Sequence, residues 1–171
     1  GTKKLDLKEV YCGLDCQMLL YLFSLTRDAS GRFTGAEPAG VLYLLADPAP
    51  ESTTRANAAR SVEYKLDGLV RDEEKIFRAM DAEETGRYLP FGYLRGAPSP
   101  YQKDKRADAA KLSRIRLHLD DLVTQMGEQL YGGQIAAEPL VTGRSPCRWC
   151  DYGFICCHES GIGERALDAP A

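Results

Sequence analysis

The chain has 171 residues and a mass of 18.9 kDa, is 44% hydrophobic and 27% charged, and carries a formal net charge of -3 with six cysteines. That size fits one ordinary globular domain and leaves little room for two. No run reaches the roughly 18 apolar residues that span a bilayer, and Gly1-Thr2-Lys3-Lys4 lacks the apolar stretch of a secretory signal, so a soluble cytoplasmic protein is expected.

In chain order, Asp6 is placed to cap a helix, Glu9 to complete a capping box, and Leu5 with Val10 to form a hydrophobic staple. Leu7, Val10, Leu14, Met18, Tyr21, Leu22 and Leu25 then recur at helical spacing, predicting one buried amphipathic helix over 7–26. Residues 28–38 read as a loop. The apolar run 41–46, stopped by Asp47-Pro48, reads as a central strand. Residues 50–62 show no period, and 64–70 read as a strand with a turn or bulge at Gly68. Asp72 opens a short helix whose buried side is Ile76, Phe77 and Met80. Residues 82–106 hold Pro, Gly and Tyr without periodicity and are expected to form a long, partly mobile surface loop. A second long helix is predicted over 108–131, with Leu112, Ile115, Leu119, Leu122, Met126 and Leu130 on one stripe and Gly132-Gly133 as its stop. Residues 161–171 read as a frayed tail. The sum is a thin α/β arrangement, short of strands for an ordinary sheet. Together with the opening on Gly1 rather than Met, this suggests a processed or excised piece of something longer.

Four of the six cysteines fall in Cys147-Arg148-Trp149-Cys150-Asp151-Tyr152-Gly153-Phe154-Ile155-Cys156-Cys157-His158. The CxxC pair Cys147 and Cys150 has the spacing that lets one turn point two thiolates at a single metal. Cys156 supplies a third, Cys157 and His158 are spares, and the apolar residues between would shield the centre. Thiolates favour zinc or an iron-sulfur cluster over magnesium or calcium. Zinc could close locally with His158, whereas a four-iron cluster takes a fourth cysteine from elsewhere. Cys12 and Cys16 read as small core residues of the first helix. Gln17 lies on the same face as Val10, Leu14 and Tyr21 and is therefore expected to be partly buried, either cross-linking the core or positioning a site. Basic residues gather at Lys103, Lys105, Arg106, Lys111, Arg114 and Arg116; they read either as a solvated face or as a track for phosphates.

Gln17-Met18-Leu19-Leu20-Tyr21 matches the QxxxY motif of RecB-like PD-(D/E)XK nucleases. The wider stretch 5–22 resembles the segment that follows the catalytic Asp-Tyr-Lys in the AddB component of AddAB-type helicase-nucleases. The resemblance continues through Gly40-Val41-Leu42-Tyr43, Lys65-Leu66-Asp67-Gly68-Leu69-Val70 and Pro146-Cys147-Arg148-Trp149-Cys150-Asp151-Tyr152 to Cys156, with 82–106 its weakest part.

The resemblance implies an incomplete PD-(D/E)XK (restriction-endonuclease-like) core with long helices and a C-terminal Cys-rich metal segment. It places a nuclease portion at 1–160, with the QxxxY helix at 7–26, core strands at 40–70, the long helix at 108–131 and the Cys cluster at 145–158. Gln17 and Tyr21 would support the catalytic centre and the DNA strand. Cys147, Cys150 and Cys156 would be the last three ligands of a 4Fe-4S cluster whose first ligand lies upstream. Lys103, Lys105, Arg106 and Arg114 become better candidates for a DNA or subunit surface. The family's metal-binding Asp, its Asp/Glu-x-Lys motif and an upstream His or Glu would all precede Gly1, so the chain alone is expected to be inactive. Its parent would be a magnesium-dependent exonuclease acting with an AddA-type helicase subunit in double-strand-break repair and recombination. The alternative is a zinc-stabilised, non-enzymatic module for nucleic-acid or protein interaction.

Overall fold

The computed structural model describes residues 4–27, 30–44, 66–141 and 145–166. Expectations for 50–62, for the ends of the two core-strand segments at 45–46 and 64–65, and for the last residues of the tail lie outside them. The chain divides into two compact units, one comprising Gly1–Leu5 and Gln17–Arg116, the other Asp6–Cys16 and Leu117–Ala171.

The first unit is built on a three-stranded sheet. β1 (Gly40–Leu44) pairs antiparallel with β2 (Leu66–Arg71) in the register Val41 to Leu69 and Tyr43 to Asp67. β2 also runs parallel to the two-residue β5 (Arg106–Ala107), giving the order β1-β2-β5. The expected central strand is therefore an edge among the described strands, and β2 is central: Asp67, Gly68, Leu69 and Val70 are buried, whereas Leu44 is 62% exposed. A run of apolar residues records burial without saying which neighbours supply it. Gly68 sits in register opposite Leu42 with no bulge, at φ +146, where a Cβ would collide with the Val41 carbonyl oxygen. Glycine is what permits the two strands to approach this closely.

α2 (Gln17–Leu25) buries Leu19 and Phe23, one turn apart. α3 (Glu74–Met80) contributes Phe77 to a cluster with Val70, Leu89 and Phe91, against which Leu42, Ile76, Met80 and Tyr93 pack. The expected mobile loop at 82–106 instead supplies part of this core. Phe91 meets Phe77 edge-on at 5.0 Å between ring centroids, and the Arg106 guanidinium lies 5.6 Å over the Phe91 ring. β3 (Tyr93–Leu94) and β4 (Ala97–Pro98) form a hairpin closed by Arg95 and Gly96, both at positive φ. A 3-10 segment over Pro100–Lys105, kinked at Gln102, is pinned where Gln102 Oε1 accepts the Gly92 N–H at 2.9 Å. Non-periodic sequence is ordered here by large anchors and specific hydrogen bonds rather than by regular elements.

α4 (Ala109–Tyr131) matches the predicted second helix and contributes residues to both units. Leu112 and Leu119 are buried, but Met126 is 48% and Leu130 76% exposed, so the apolar stripe is covered only in its earlier turns. Gly133, at φ +75, terminates the helix by donating to Leu130 O.

In the second unit the predicted first helix is broken. α1 (Leu7–Tyr11) starts at Asp6, whose carboxylate accepts the Lys8 N–H at 2.8 Å, and ends before a turn in which Gly13 and Asp15 take positive φ. Leu14 keeps the helical period across this turn, which is why periodicity alone joined the two segments. Tyr11 stacks on His118 with centroids 4.4 Å apart, and Tyr11 O lies 2.9 Å from His118 Nε2, which must carry the proton because a carbonyl only accepts. β6 (Leu140–Val141) pairs in parallel with β7 (Arg165–Ala166). The expected frayed tail is thus tied down as far as residue 166. A 3-10 turn at Pro146–Trp149, capped by Ser145, and the one-turn α5 (Gly153–Cys156) carry the cysteines. No helix among the described residues is long and apolar enough to cross a membrane.

Candidate functional site

Breaking the first helix changes the setting of Gln17. It becomes the first residue of α2 and is exposed rather than partly buried, and Tyr21, one turn later, is 56% exposed. Gln17 Nε2 donates to the Tyr21 hydroxyl at 2.9 Å. Since Leu19 and Phe23 hold the opposite face of the helix in the core, this pair is presented outward on a rigid support. An amide oxygen, its second N–H and a phenol remain available there to a ligand. Cys16, just before α2, points its thiol at Val10 O and Leu14 O. Burial, reinforced by the charge of Asp15, raises its pKa and keeps it a neutral structural thiol.

Two carboxylates are buried among the described residues, and both are already engaged. Asp67 accepts the Leu5 N–H at 2.7 Å and the Lys105 ammonium at 2.6 Å. Asp81 accepts the Thr85 hydroxyl at 3.0 Å and the Gly86 N–H at 2.6 Å. Neither has the open oxygens that a catalytic magnesium requires. Three triplets match the letters of Asp/Glu-x-Lys. Asp6-Leu7-Lys8 is a helix cap and first turn, Glu73-Glu74-Lys75 starts α3, and Glu63-Tyr64-Lys65 lies outside the described residues.

The cysteines do not converge. Cys147 is half-buried, Cys150, Cys156 and Cys157 are exposed, and all are free thiols. No group of three His, Cys, Asp or Glu comes close enough to hold a metal among the described residues. The aromatic residues expected to shield a centre face outward instead, with Trp149 74% and Phe154 80% exposed. Among the described residues, therefore, the cysteines are not gathered into a ligand set and neither buried carboxylate is open to magnesium. His158 is the exception to the exposure: its side chain is 9% exposed, and Nε2, 3.8 Å from Glu164 Oε1, makes no hydrogen bond.

The four basic candidates separate into two kinds. Lys105 is committed to Asp67, and Arg106 bonds Asp72 Oδ1 at 3.0 Å and Ser99 O at 3.4 Å; these charges serve the fold. Lys103 and Arg114 are exposed and free to meet a partner. At the end of β2, Arg71 pairs with Glu37 at 2.5 Å and with Glu73, and these bonds, Glu37's first, raise its pKa further. Nothing in the sequence pattern marks this cluster, because Glu37 lies 34 residues from Arg71 along the chain.

The sequence profile of the PD-(D/E)XK nuclease superfamily matches residues 1–157, and the chain belongs to that superfamily. It is similar to the second subunit, designated B, of the ATP-dependent helicase/deoxyribonuclease from Symbiobacterium thermophilum (31% identity over 184 residues, 99% of this chain and 16% of the relative). The subunits of the same name from Thermoanaerobacter sp. strain X514 (28%; 95% and 15%) and Bacillus subtilis strain 168 (29%; 96% and 15%) are also similar. The chain thus spans about 15% of the length of the curated relatives it matches.

Proposed function

We propose that this chain is the C-terminal portion of a DNA exonuclease domain in a helicase-nuclease subunit that acts in cytoplasmic double-strand-break repair and recombination. The observation that carries this reading is the Gln17–Tyr21 pair, bonded at 2.9 Å and presented outward on α2 in a chain the nuclease profile matches from residue 1 to 157. In this reading the full-length protein hydrolyses DNA phosphodiesters with magnesium and works beside an AddA-type helicase subunit. Gln17 and Tyr21 steady the reacting strand, and the 171 residues alone are inactive. Cys147, Cys150 and Cys156 supply three thiolates to a 4Fe-4S cluster completed from elsewhere in the longer protein. The test is magnesium-dependent degradation of end-labelled DNA by the full-length gene product and by the 171-residue chain. Activity in the first and none in the second is expected.

A second reading, a zinc-stabilised interaction module without catalysis, is favoured by His158, which follows Cys157 in sequence and whose Nε2 is shielded and makes no hydrogen bond. Metal analysis and visible absorption of anaerobically purified full-length protein distinguish the two. About four irons and a brown chromophore support the cluster, and one zinc in a colourless protein supports the module.

A further inference from the structure

Toward the C-terminal end of α2, away from Gln17 at its start, an open cavity of about 390 Å³ is bordered by Phe23, Thr26, Glu37, Arg71, Ser113 and Arg116. We propose that it binds one backbone phosphodiester of a single DNA strand, an assignment that rests on the nuclease reading for the identity of the strand. The floor is apolar, from Phe23 and Leu112, both buried. The rim carries two guanidiniums and two hydroxyls against one carboxylate, so the lining has an excess of one positive charge, the complement of a singly charged phosphodiester. The volume is at the low end of small-ligand sites, suited to a single nucleotide and too small for a duplex.

The two arginines are poised differently. Arg116 has no ion pair among the described residues. Arg71, only 14% exposed, is held in place by Glu73 and is covered from the solvent side by Glu37, which is itself 68% exposed. An ion pair with so exposed a partner is worth little, so a phosphate can displace Glu37 from the guanidinium at small cost. The planar fork of arginine then matches the phosphate oxygens, while Ser113 can donate its hydroxyl and the floor can receive the sugar.

The test is fluorescence anisotropy of a labelled oligodeoxythymidylate on the 171-residue chain over a range of salt. Arg116→Ala is expected to weaken binding about fivefold, the loss of roughly one charge-assisted contact. It should also lower the slope of log affinity against log salt by about 0.7, the value for one phosphate on a single strand. Arg116→Lys should restore most of the slope, Ser113→Asp should weaken binding without removing a cation, and Arg78→Ala on α3 should change neither quantity. Wild-type affinity and slope in both Arg116→Ala and Ser113→Asp would overturn the proposal, as would an equal loss in Arg78→Ala or competition by inorganic phosphate as potent as the strand. Failure of the wild-type chain to bind the strand at low salt would also overturn it. None of these outcomes touches magnesium-dependent cleavage by the full-length protein, on which the nuclease reading stands or falls separately.

Discussion

Gln17 Nε2 and the Tyr21 hydroxyl are bonded at 2.9 Å across one turn of α2, and neither residue is needed by the core. A pair that is exposed and orders itself can be removed with little loss of fold. In the full-length protein, Gln17→Ala is expected to reduce DNA cleavage about 100-fold through misplacement of the strand. Stability should change by less than about 0.5 kcal/mol, as for other surface substitutions. Parallel cleavage assays and denaturation curves check this; a comparable loss of both would make Gln17 a structural residue.

Asp67 joins the chain at Leu5 to the end of the 3-10 segment at Lys105. Asp67→Ala leaves a mostly buried ammonium and an N–H without their acceptor and should cost about 2 to 3 kcal/mol, somewhat less than for a fully buried pair. Asp67→Asn, which keeps an acceptor for the Leu5 N–H, should cost less. Urea denaturation reads both, as midpoints that fall at unchanged slope.

Two glycines separate backbone need from tolerance. Gly68→Ala drives a Cβ into the Val41 carbonyl oxygen at a φ that alanine resists, and a loss of at least about 2 kcal/mol is expected. Gly127 lies within α4 with nothing near its missing Cβ, so Gly127→Ala should stabilise the protein by about 0.5 to 1 kcal/mol. Thermal melts of the two variants should move in opposite directions.

Part of the candidate site is legible in the sequence, and what is not has definite causes. The spacing from Gln17 to Tyr21 places both on one helical face whether or not the helix extends back to Leu7. Burial of Gln17 did not follow, because Gly13 and Asp15 turn the chain between Tyr11 and Gln17 while Leu14 preserves the period. The loop before Arg106 carried no periodic signal, since its order comes from Phe91 and Gln102 meeting partners that are near in space only after folding. Cysteine spacing likewise states which thiols could share a metal and is silent on whether the folded backbone gathers them. The Arg71 cavity was invisible for the same reason: Thr26, Glu37, Arg71 and Arg116 are brought together by four different segments.

Acid should weaken the first unit through Glu73. Its hydrogen bond to Lys75, supported by Arg71, holds the carboxyl below its ordinary value against the opposing effect of burial. A carboxyl with a lowered folded pKa contributes fully above its unfolded value of about 4.3. That contribution disappears as pH falls through the folded value. Glu73→Gln should therefore flatten the acid side of the stability profile while leaving its alkaline side unchanged, as measured by urea midpoints across pH. An unchanged acid limb would place the pH dependence elsewhere.

The nuclease assignment is decided by incubating end-labelled DNA with the full-length gene product, with magnesium and with EDTA. Cleavage in magnesium that disappears in EDTA and falls about 100-fold in Gln17→Ala is the predicted result, with the pair acting as a positioning device. A folded full-length protein that leaves DNA intact in magnesium would contradict it.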